Sequence, residues 1–166
     1  MTNEHILGLD IRGTGIKGAV VEVKTGKLLT ERVKVLTPEP STPEAVGKVA
    51  AEIKQNFGFE GIIGCGFPAI MKNGVAQSAA NIDQSWLNTD VQEVLGRHTG
   101  SQVFVANDAD VAGMAEQAFG FAANQPGTVI VLTIGTGIGS ALFYNGVLIP
   151  NTEFGHLKFH KSIAEK

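Results

Sequence analysis

The chain has 166 residues, the size of one domain or of one domain with part of a second. Hydrophobic residues make up 43% and charged residues 17%, which supports a core and argues against a disordered chain. The sequence contains no unbroken apolar run of about 18 residues, so we expect no membrane span. Thirteen Lys and Arg against 16 Asp and Glu give a formal charge of −3 without a basic cluster, and this pattern argues against nucleic-acid binding.

Glycine is the unusual component of the composition. The 21 glycines cluster at 13–18, 61–66 and 135–139, each beside a β-branched run. Such clusters indicate loops in which the main chain itself approaches a ligand. The single cysteine, Cys65, excludes an internal disulfide, and its apolar surroundings predict a buried, inert thiol. Residues 1–5 lack the charge and hydrophobicity of an export signal, so we expect a cytoplasmic protein.

The first part of the chain predicts a β-meander followed by a helix. Strands are expected over 6–10, 16–23 and 28–35, with a tight glycine turn at 13–15. A helix is expected over 42–57, because Thr42 is a suitable N-cap and a proline occupies the first helical position.

The remainder alternates between short strands and helices. Strands are predicted at 62–67, 74–77, 102–106, 128–134 and 140–147, and helices at 90–98 and 110–121. Residues 9–16 and 132–139 resemble each other, which indicates two related α/β lobes. We expect a small lobe over 1–112 and the beginning of a large lobe over 113–166. The second lobe is expected to be incomplete, since one hairpin cannot bury both of its faces.

The two glycine turns are candidates for phosphate binding. Several main-chain N–H groups aimed at one point can hold a phosphate, and side chains there would block its approach. Asp10 could hold a hydrated Mg²⁺, while Thr14 and Thr136 could offer hydroxyls to phosphate oxygens. Ordinary hairpin turns are the alternative. Neither turn matches a P-loop or a dinucleotide-binding fingerprint, because a strand follows each one.

Three further segments carry candidate chemistry. A carboxylate in Asn107–Asp108, at the end of a strand, could accept a proton from a sugar hydroxyl, or Asp108 or Asp110 could cap the next helix. Glu153 and His156 could bind adjacent hydroxyls of a hexose, or they could be ordinary surface residues.

Trp86, the only tryptophan, is surrounded in sequence by amides, a hydroxyl and a carboxylate, a mixture that suits a platform on which a sugar is bound. The alternative is a partly buried tryptophan that has no ligand. Three other histidines, His5, His98 and His160, are expected to be solvated.

Six segments together resemble the ROK sugar kinases, a branch of the actin-like ATPase superfamily, and within that family the polyphosphate glucokinases. The segments follow one another in the family order, and the resemblance extends over about residues 6–157. They are 7–18 (LGLDIRGTGIKG), 37–46 (TPEPSTPEAV), 79–86 (AANIDQSW), 105–113 (VANDADVAG), 129–142 (VIVLTIGTGIGSAL) and 150–156 (PNTEFGH).

The resemblance implies an actin-like (ribonuclease H-like) α/β lobe with a mixed sheet and flanking helices, plus the start of a similar lobe. It also implies transfer of a phosphoryl group from polyphosphate or ATP to the 6-hydroxyl of glucose or a similar hexose such as mannose, assisted by Mg²⁺ and without zinc. By this resemblance Asp108 is the general base, and the sugar is bound by Asn81, Asn107, Asp108, Glu153 and His156. The phosphates are bound by Asp10, Gly13, Thr14, Gly15, Lys17, Thr133, Gly135, Thr136 and Gly137, with Asp10 also holding the metal through water.

The chain departs from the family pattern at three points. Arg12 stands where the family usually has the first glycine of a Gly-Gly-Thr turn, so its side chain either obstructs the phosphate path or offers it a guanidinium. A cysteine-rich zinc motif is absent, as in polyphosphate glucokinases. The sequence ends where the family continues with most of the large lobe, so we expect the chain alone to be inactive.

Two alternatives to a kinase are an inactive sugar-binding fragment and a sugar-responsive regulator. The regulator would place a DNA-binding element ahead of the first phosphate motif, where only five residues precede Ile6. A homodimer formed through the hairpin at 128–147 is the expected assembly, because an apolar strand edge favours association.

Overall fold

A five-stranded mixed sheet organises the first of two units, residues 1–108 and 109–166, into which the chain divides. The computed structural model describes residues 4–135, 137–159 and 162–163. The first unit contains β1 (His5–Arg12), β2 (Gly15–Glu22), β3 (Val33–Val35), α1 (Pro43–Asn56), β4 (Ile63–Phe67), β5 (Met71–Lys72), β6 (Val75–Ala76), a 3₁₀ turn (Gln84–Trp86), α2 (Val91–Thr99) and β7 (Val103–Asn107). The sheet order is β3-β2-β1-β4-β7.

Parallel pairing of β1, β4 and β7 places their carboxyl ends at one edge of the sheet. In the register, Asp10 lies opposite Gly66, and Gly66 lies opposite Ala106. β1 and β2 are antiparallel, as are β2 and β3. The core consists of apolar side chains from these strands and from both helices, including Leu7, Ile11, Ile53, Ile63, Phe67, Trp86 and Leu95, all fully buried.

Local capping signals determine both helices of this unit. Thr42 Oγ1 accepts a hydrogen bond from Ala45 N at 3.3 Å, and Pro43 occupies the first turn, so the predicted start of α1 is confirmed. Asp90 Oδ1 accepts from Glu93 N at 2.9 Å at the start of α2. Gly100, with φ of 66°, ends α2 in the left-handed conformation that glycine adopts readily.

The strand predicted over 28–35 is largely wrong. Only an isolated bridge between Leu28 and Val21 and the short β3 are present. The reason is local: Val20 N donates to Thr30 Oγ1 at 3.1 Å, so a side chain replaces the ladder partner that a neighbouring strand would supply.

The second unit holds most of a helix and a three-stranded antiparallel sheet. Its elements are α3 (Asp108–Phe119, whose first residue ends the first unit), β8 (Thr128–Ile134), β9 (Ile138–Tyr144), β10 (Val147–Ile149), a 3₁₀ turn (Phe154–His156), β11 (Lys158–Phe159) and β12 (Ser162–Ile163). The strand order is β10-β9-β8. The strand predicted over 140–147 ends earlier, because Asn145 and Gly146 have φ of 49° and 78° and form a turn.

Three single-residue expectations have structural outcomes. Cys65 is 3% exposed, so the prediction of a buried thiol is confirmed, and burial raises the pKa of this thiol. His5 is exposed as expected, whereas the prediction for His98 is wrong: its side chain is 14% exposed, with Nε2 3.1 Å from Glu44 Oε2. His160 lies outside the described residues. Within the described part of the chain, no helix is long and apolar enough to cross a membrane.

Candidate active site

The carboxyl edge of the parallel strands in the first unit gathers the candidate catalytic carboxylates. Asp10 is near the end of β1, and Asp108 follows directly after Asn107, the last residue of β7. With β4 between them, β1 and β7 are separated by two strand spacings, roughly 10 Å. The topology therefore brings Asp10 and Asp108 to the same edge, although they are far apart along the chain.

Asp10 is paired with two cations. Arg12 Nε donates to Asp10 Oδ1 and Oδ2 at 2.9 and 3.1 Å, and Lys17 Nζ lies 3.7 Å from Oδ2. The hydrogen bond to Asp10 raises the pKa of the Arg12 guanidinium, and the negative charges of Asp10 and Asp108 add to this effect while desolvation opposes it. A permanent positive charge therefore stands beside the first glycine turn.

Asp10 fits the kind of donor that Mg²⁺ uses in phosphotransferases. Such sites commonly provide one or two carboxylates, and waters and substrate phosphates complete the coordination. The side chain of Asp10 is 35% exposed, and an ionised carboxylate offers about four lone-pair positions, more than its contacts with Arg12 and Lys17 occupy. The described residues contain no cluster of three or more His, Cys, Asp or Glu suited to a metal.

The first glycine turn is held against the 79–86 loop. A Cβ at Gly13 would lie 2.6 Å from the carbonyl oxygen of Asn81, so only glycine permits this approach. Thr37 Oγ1 donates to the carbonyl of Arg12 at 2.5 Å. Gly13, Thr14 and exposed Asn81 are thus brought together, and the main chain of the turn is fixed from two sides.

Trp86 belongs to the core, which contradicts its interpretation as a sugar platform. Its ring is fully buried, packs edge-on against Phe67 at 4.8 Å and donates from Nε1 to Ser41 O at 2.8 Å. The same loop is also fixed at Asp83, whose N–H donates to Ser41 Oγ. Hydrogen bonds from the Ser85 hydroxyl and N–H lower the pKa of Asp83.

Asn107 and Asp108 occupy different environments. Asn107 is 4% exposed, and its Nδ2 donates to Ala69 O at 3.1 Å, so its amide orientation is set by the main chain. Asp108 is partly exposed and is the first residue of α3, where the positive end of the helix dipole favours an ionised carboxylate. The sequence offered two roles for Asp108, a helix cap and a reactive carboxylate. Its position at the start of α3 is compatible with the second role.

In the second unit, the β8–β9 connection forms the other glycine turn. Gly135 N donates to Gly137 O at 3.0 Å, and Thr133 pairs with Gly139 across the two strands. Among the described residues, a Cβ on Gly135 would meet no atom within 4 Å. Thr136, a predicted phosphate contact, lies outside the described residues.

Glu153 and His156 are brought together in the second unit. Glu153 Oε2 lies 3.0 Å from His156 Nδ1, and both side chains belong to the segment 150–156. Two buried polar residues lie in this region, Asp110 and Ser140, which are 2% and 3% exposed; the sequence offered Asp110 only as a helix cap and gave Ser140 no role. The available signals were a second carboxylate in the Asn-Asp-Ala-Asp motif and a hydroxyl in an otherwise apolar strand.

The fold and these residues define the class of protein. The mixed sheet with flanking helices matches the actin-like ATPase fold of the solved sugar kinases described below. The chain belongs to the ROK family, whose model matches residues 6–164.

Individual relatives within this family resemble the chain more specifically. The polyphosphate glucokinase of Mycobacterium tuberculosis is 48% identical over 166 residues, which are 99% of this chain and 63% of the relative. The chain thus spans less than two thirds of that protein's length. A polyphosphate/ATP-glucomannokinase from Arthrobacter sp. strain KM superposes with a TM-score of 0.93 at 47% identity, covering 98% of this chain and 67% of the other. A ROK glucokinase from Streptomyces griseus, solved with glucose and AMPPNP, gives 0.81 at 29% identity, covering 93% and 50%.

Proposed function

We propose that the protein carrying this chain is a glucokinase, which transfers a phosphoryl group from polyphosphate or ATP to the 6-hydroxyl of glucose or of a similar hexose such as mannose. The observation that carries the proposal is the position of Asp10 and Asp108 at one carboxyl edge, beside a cationic glycine turn. The names of the relatives support the same activity.

Asp108 acts as the general base in this proposal. As the 6-oxygen forms its bond to phosphorus, its proton passes to the Asp108 carboxylate and the bond to the donor's leaving oxygen breaks. The start of α3 stabilises the ionised form of Asp108, and its partial exposure leaves it accessible to a hydroxyl. Phosphoryl transfer otherwise requires mainly positioning and charge neutralisation.

Polar side chains of each unit are the proposed sugar contacts. Asn81 and Asn107 belong to the first unit, and Glu153 and His156 to the second. The hydrogen bond from Asn107 Nδ2 to Ala69 O fixes the orientation of this amide. Glu153 and His156 are preorganised by their 3.0 Å contact.

Phosphate groups are bound by the two glycine turns. Main-chain N–H groups and hydroxyls supply neutral donors, and Lys17 and Arg12 supply charge next to the first turn. Asp10 would hold Mg²⁺ through water, and the ion would neutralise phosphate charge. The contacts assigned here are Gly13, Thr14, Gly15 and Lys17 in the first unit and Thr133, Gly135, Thr136 and Gly137 in the second.

Product formation tests the activity directly. The full protein that carries this chain is supplied with glucose and Mg²⁺, first with polyphosphate and then with ATP, and glucose 6-phosphate is followed. We expect product from at least one donor, and mannose in place of glucose measures acceptor range. Absence of product with both donors, while a control kinase works in the same buffer, would reject the proposal.

An inactive sugar-binding protein is the second candidate, and it would follow if Arg12, which contacts both oxygens of Asp10, kept that carboxylate from serving the phosphates. Calorimetric titration with glucose distinguishes the two functions. Binding without turnover supports the second candidate, whereas turnover excludes it.

A further inference from the structure

Asp110 is a buried carboxylate that the phosphoryl-transfer scheme above does not use. It is 2% exposed and occupies the third position of α3. Its Oδ2 accepts a hydrogen bond from Asn151 N at 2.9 Å. Both residues belong to the second unit, so this bond links the first turn of the helix to the start of the segment 150–156.

Ser140 makes a second connection to the same segment. It is 3% exposed, and its Oγ accepts from Phe154 N at 2.8 Å. Thr152 Oγ1 donates to the carbonyl of Ser140 at 3.3 Å. The main chain is therefore held immediately before and after Thr152–Glu153 by two buried side chains from different elements.

The segment needs such anchors because its own conformation is unfavourable. Asn151 and Glu153 have φ of 59° and 44°, in the left-handed region that residues with a Cβ adopt only at a cost. Glutamate gains little there from the local hydrogen bonding that favours asparagine. Contacts from outside the segment must therefore select this backbone path.

The orientation of the Glu153 side chain depends on this backbone conformation. Its left-handed main chain orients the carboxylate whose Oε2 lies 3.0 Å from His156 Nδ1. We propose that Asp110 is a positioning residue for hexose binding: its carboxylate, with the hydroxyl of Ser140, holds 151–154 so that Glu153 and His156 meet the sugar hydroxyls. The proposal rests on the proposed function for the role of Glu153 and His156.

A carboxylate suits this position better than a neutral side chain. A hydrogen bond from a main-chain N–H to an ionised acceptor is stronger than one to a neutral acceptor. The first turn of α3 also favours negative charge, which offsets part of the cost of burial. Asp110 is the third residue of α3, so it lies inside the helix and not at the cap position that the sequence suggested, and its Oδ2 is directed to Asn151.

Steady-state kinetics of the full protein separate positioning from general destabilisation. Asp110→Ala removes the acceptor, and we expect it to raise KM for glucose about tenfold or more, with KM for the donor little changed. Asp110→Asn keeps an acceptor oxygen, and we expect KM for glucose within about threefold of the original. Glu116→Ala is the matched control, because Glu116 is an exposed carboxylate of the same helix whose Oε2 accepts from Phe121 N, just beyond the helix end. We expect unchanged KM values for this control.

Amide hydrogen exchange gives a readout that does not need activity. We expect Asp110→Ala to speed exchange at Asn151 and Phe154 by about tenfold or more, while Asp110→Asn and Glu116→Ala leave it near the original rate. If Asp110→Ala does not fold, Ser140→Ala provides the same test from β9, with faster exchange at Phe154 and a raised glucose KM.

Unchanged exchange in both alanine variants would overturn the proposal, as would faster exchange with an unchanged glucose KM. An original protein that makes no glucose 6-phosphate would instead reject the proposed function. The exchange result would then still decide whether Asp110 holds the segment.

Discussion

Arg12 is the residue at which this chain departs most informatively from its family pattern. The sequence left open whether its side chain obstructs a phosphate or binds it. In the structure the Arg12 guanidinium donates hydrogen bonds to the Asp10 carboxylate beside the glycine turn. This contact raises the pKa of Arg12. We infer that it adds positive charge where the donor phosphates bind.

Substitution of Arg12 tests this inference. Arg12→Gln in the full protein is expected to raise KM for polyphosphate or ATP roughly three- to tenfold, since one partly exposed charged contact is lost, and to leave KM for glucose unchanged. Initial rates at varied donor concentration measure the effect, with Arg32→Gln as the exposed control. Faster turnover in Arg12→Gln would contradict the inference, because it would mean that Arg12 blocks Asp10.

The burial of a single residue could be predicted where its neighbours in the sequence determine it. It could not be predicted where the contacts come from distant parts of the chain. Cys65 lies within an apolar strand, so its burial follows from local composition. His98 is covered by α1, where Gly47 leaves room for its ring and Glu44 meets Nε2. Those partners are distant in the chain, and a single sequence gives no signal of the contact.

At the scale of elements, helices with strong end signals were predicted to within one or two residues. The polar caps Thr42 and Asp90 each satisfy an amide of the first turn, and both signals are readable from sequence. Strands 28–35 and 140–147 were overextended, because Thr30 and the Asn145–Gly146 turn interrupt pairing. Of the hairpin formed by β5 and β6, only β6 was predicted, because strands of two residues give little signal in the sequence.

Packing of α3 on β9 explains why a glycine stands in the middle of this helix. A Cβ at Gly113 would lie 2.3 Å from Ala141 Cβ and 3.1 Å from the ring of Phe143. The missing side chain therefore lets the helix approach the sheet closely.

Gly113→Ala is expected to lower the free energy of unfolding by about 1–2 kcal/mol, because overpacking outweighs the gain of about 1 kcal/mol in helix propensity. Urea denaturation measures the change. Ala118→Gly, at an exposed position of α3, calibrates the propensity part and should cost about 1 kcal/mol. A Gly113→Ala protein that is more stable than the original would show that this contact does not limit packing.

At the scale of the whole molecule, the order of motifs along the chain predicted the family and the fold, and both are confirmed. Parallel pairing explains why Asp10 and Asp108 share an edge, a relation that the motif order alone does not contain. The anchoring roles of Asp110 and Ser140 depend on contacts between α3, β9 and 150–156, which no local pattern specifies. The assignment of sugar and phosphate contacts stays a prediction.

The homodimer also stays a prediction, and β8 offers a test of it. Its outer positions Ile130, Leu132 and Ile134 are 53%, 56% and 85% exposed. Leu132→Lys should lower the dimer fraction in analytical ultracentrifugation, because a charge would enter an apolar contact. Gln77→Lys, an exposed change in the first unit, is the control. An unchanged dimer fraction in Leu132→Lys would exclude this face as the interface.

The most direct measurement of the central claim is kcat for glucose phosphorylation by the full protein with Asp108 changed to Asn. Without the general base we expect kcat to fall about 10²- to 10⁴-fold with either donor. Asp90→Asn, which keeps its helix cap, should retain the original rate. A near-original kcat in Asp108→Asn would contradict the account.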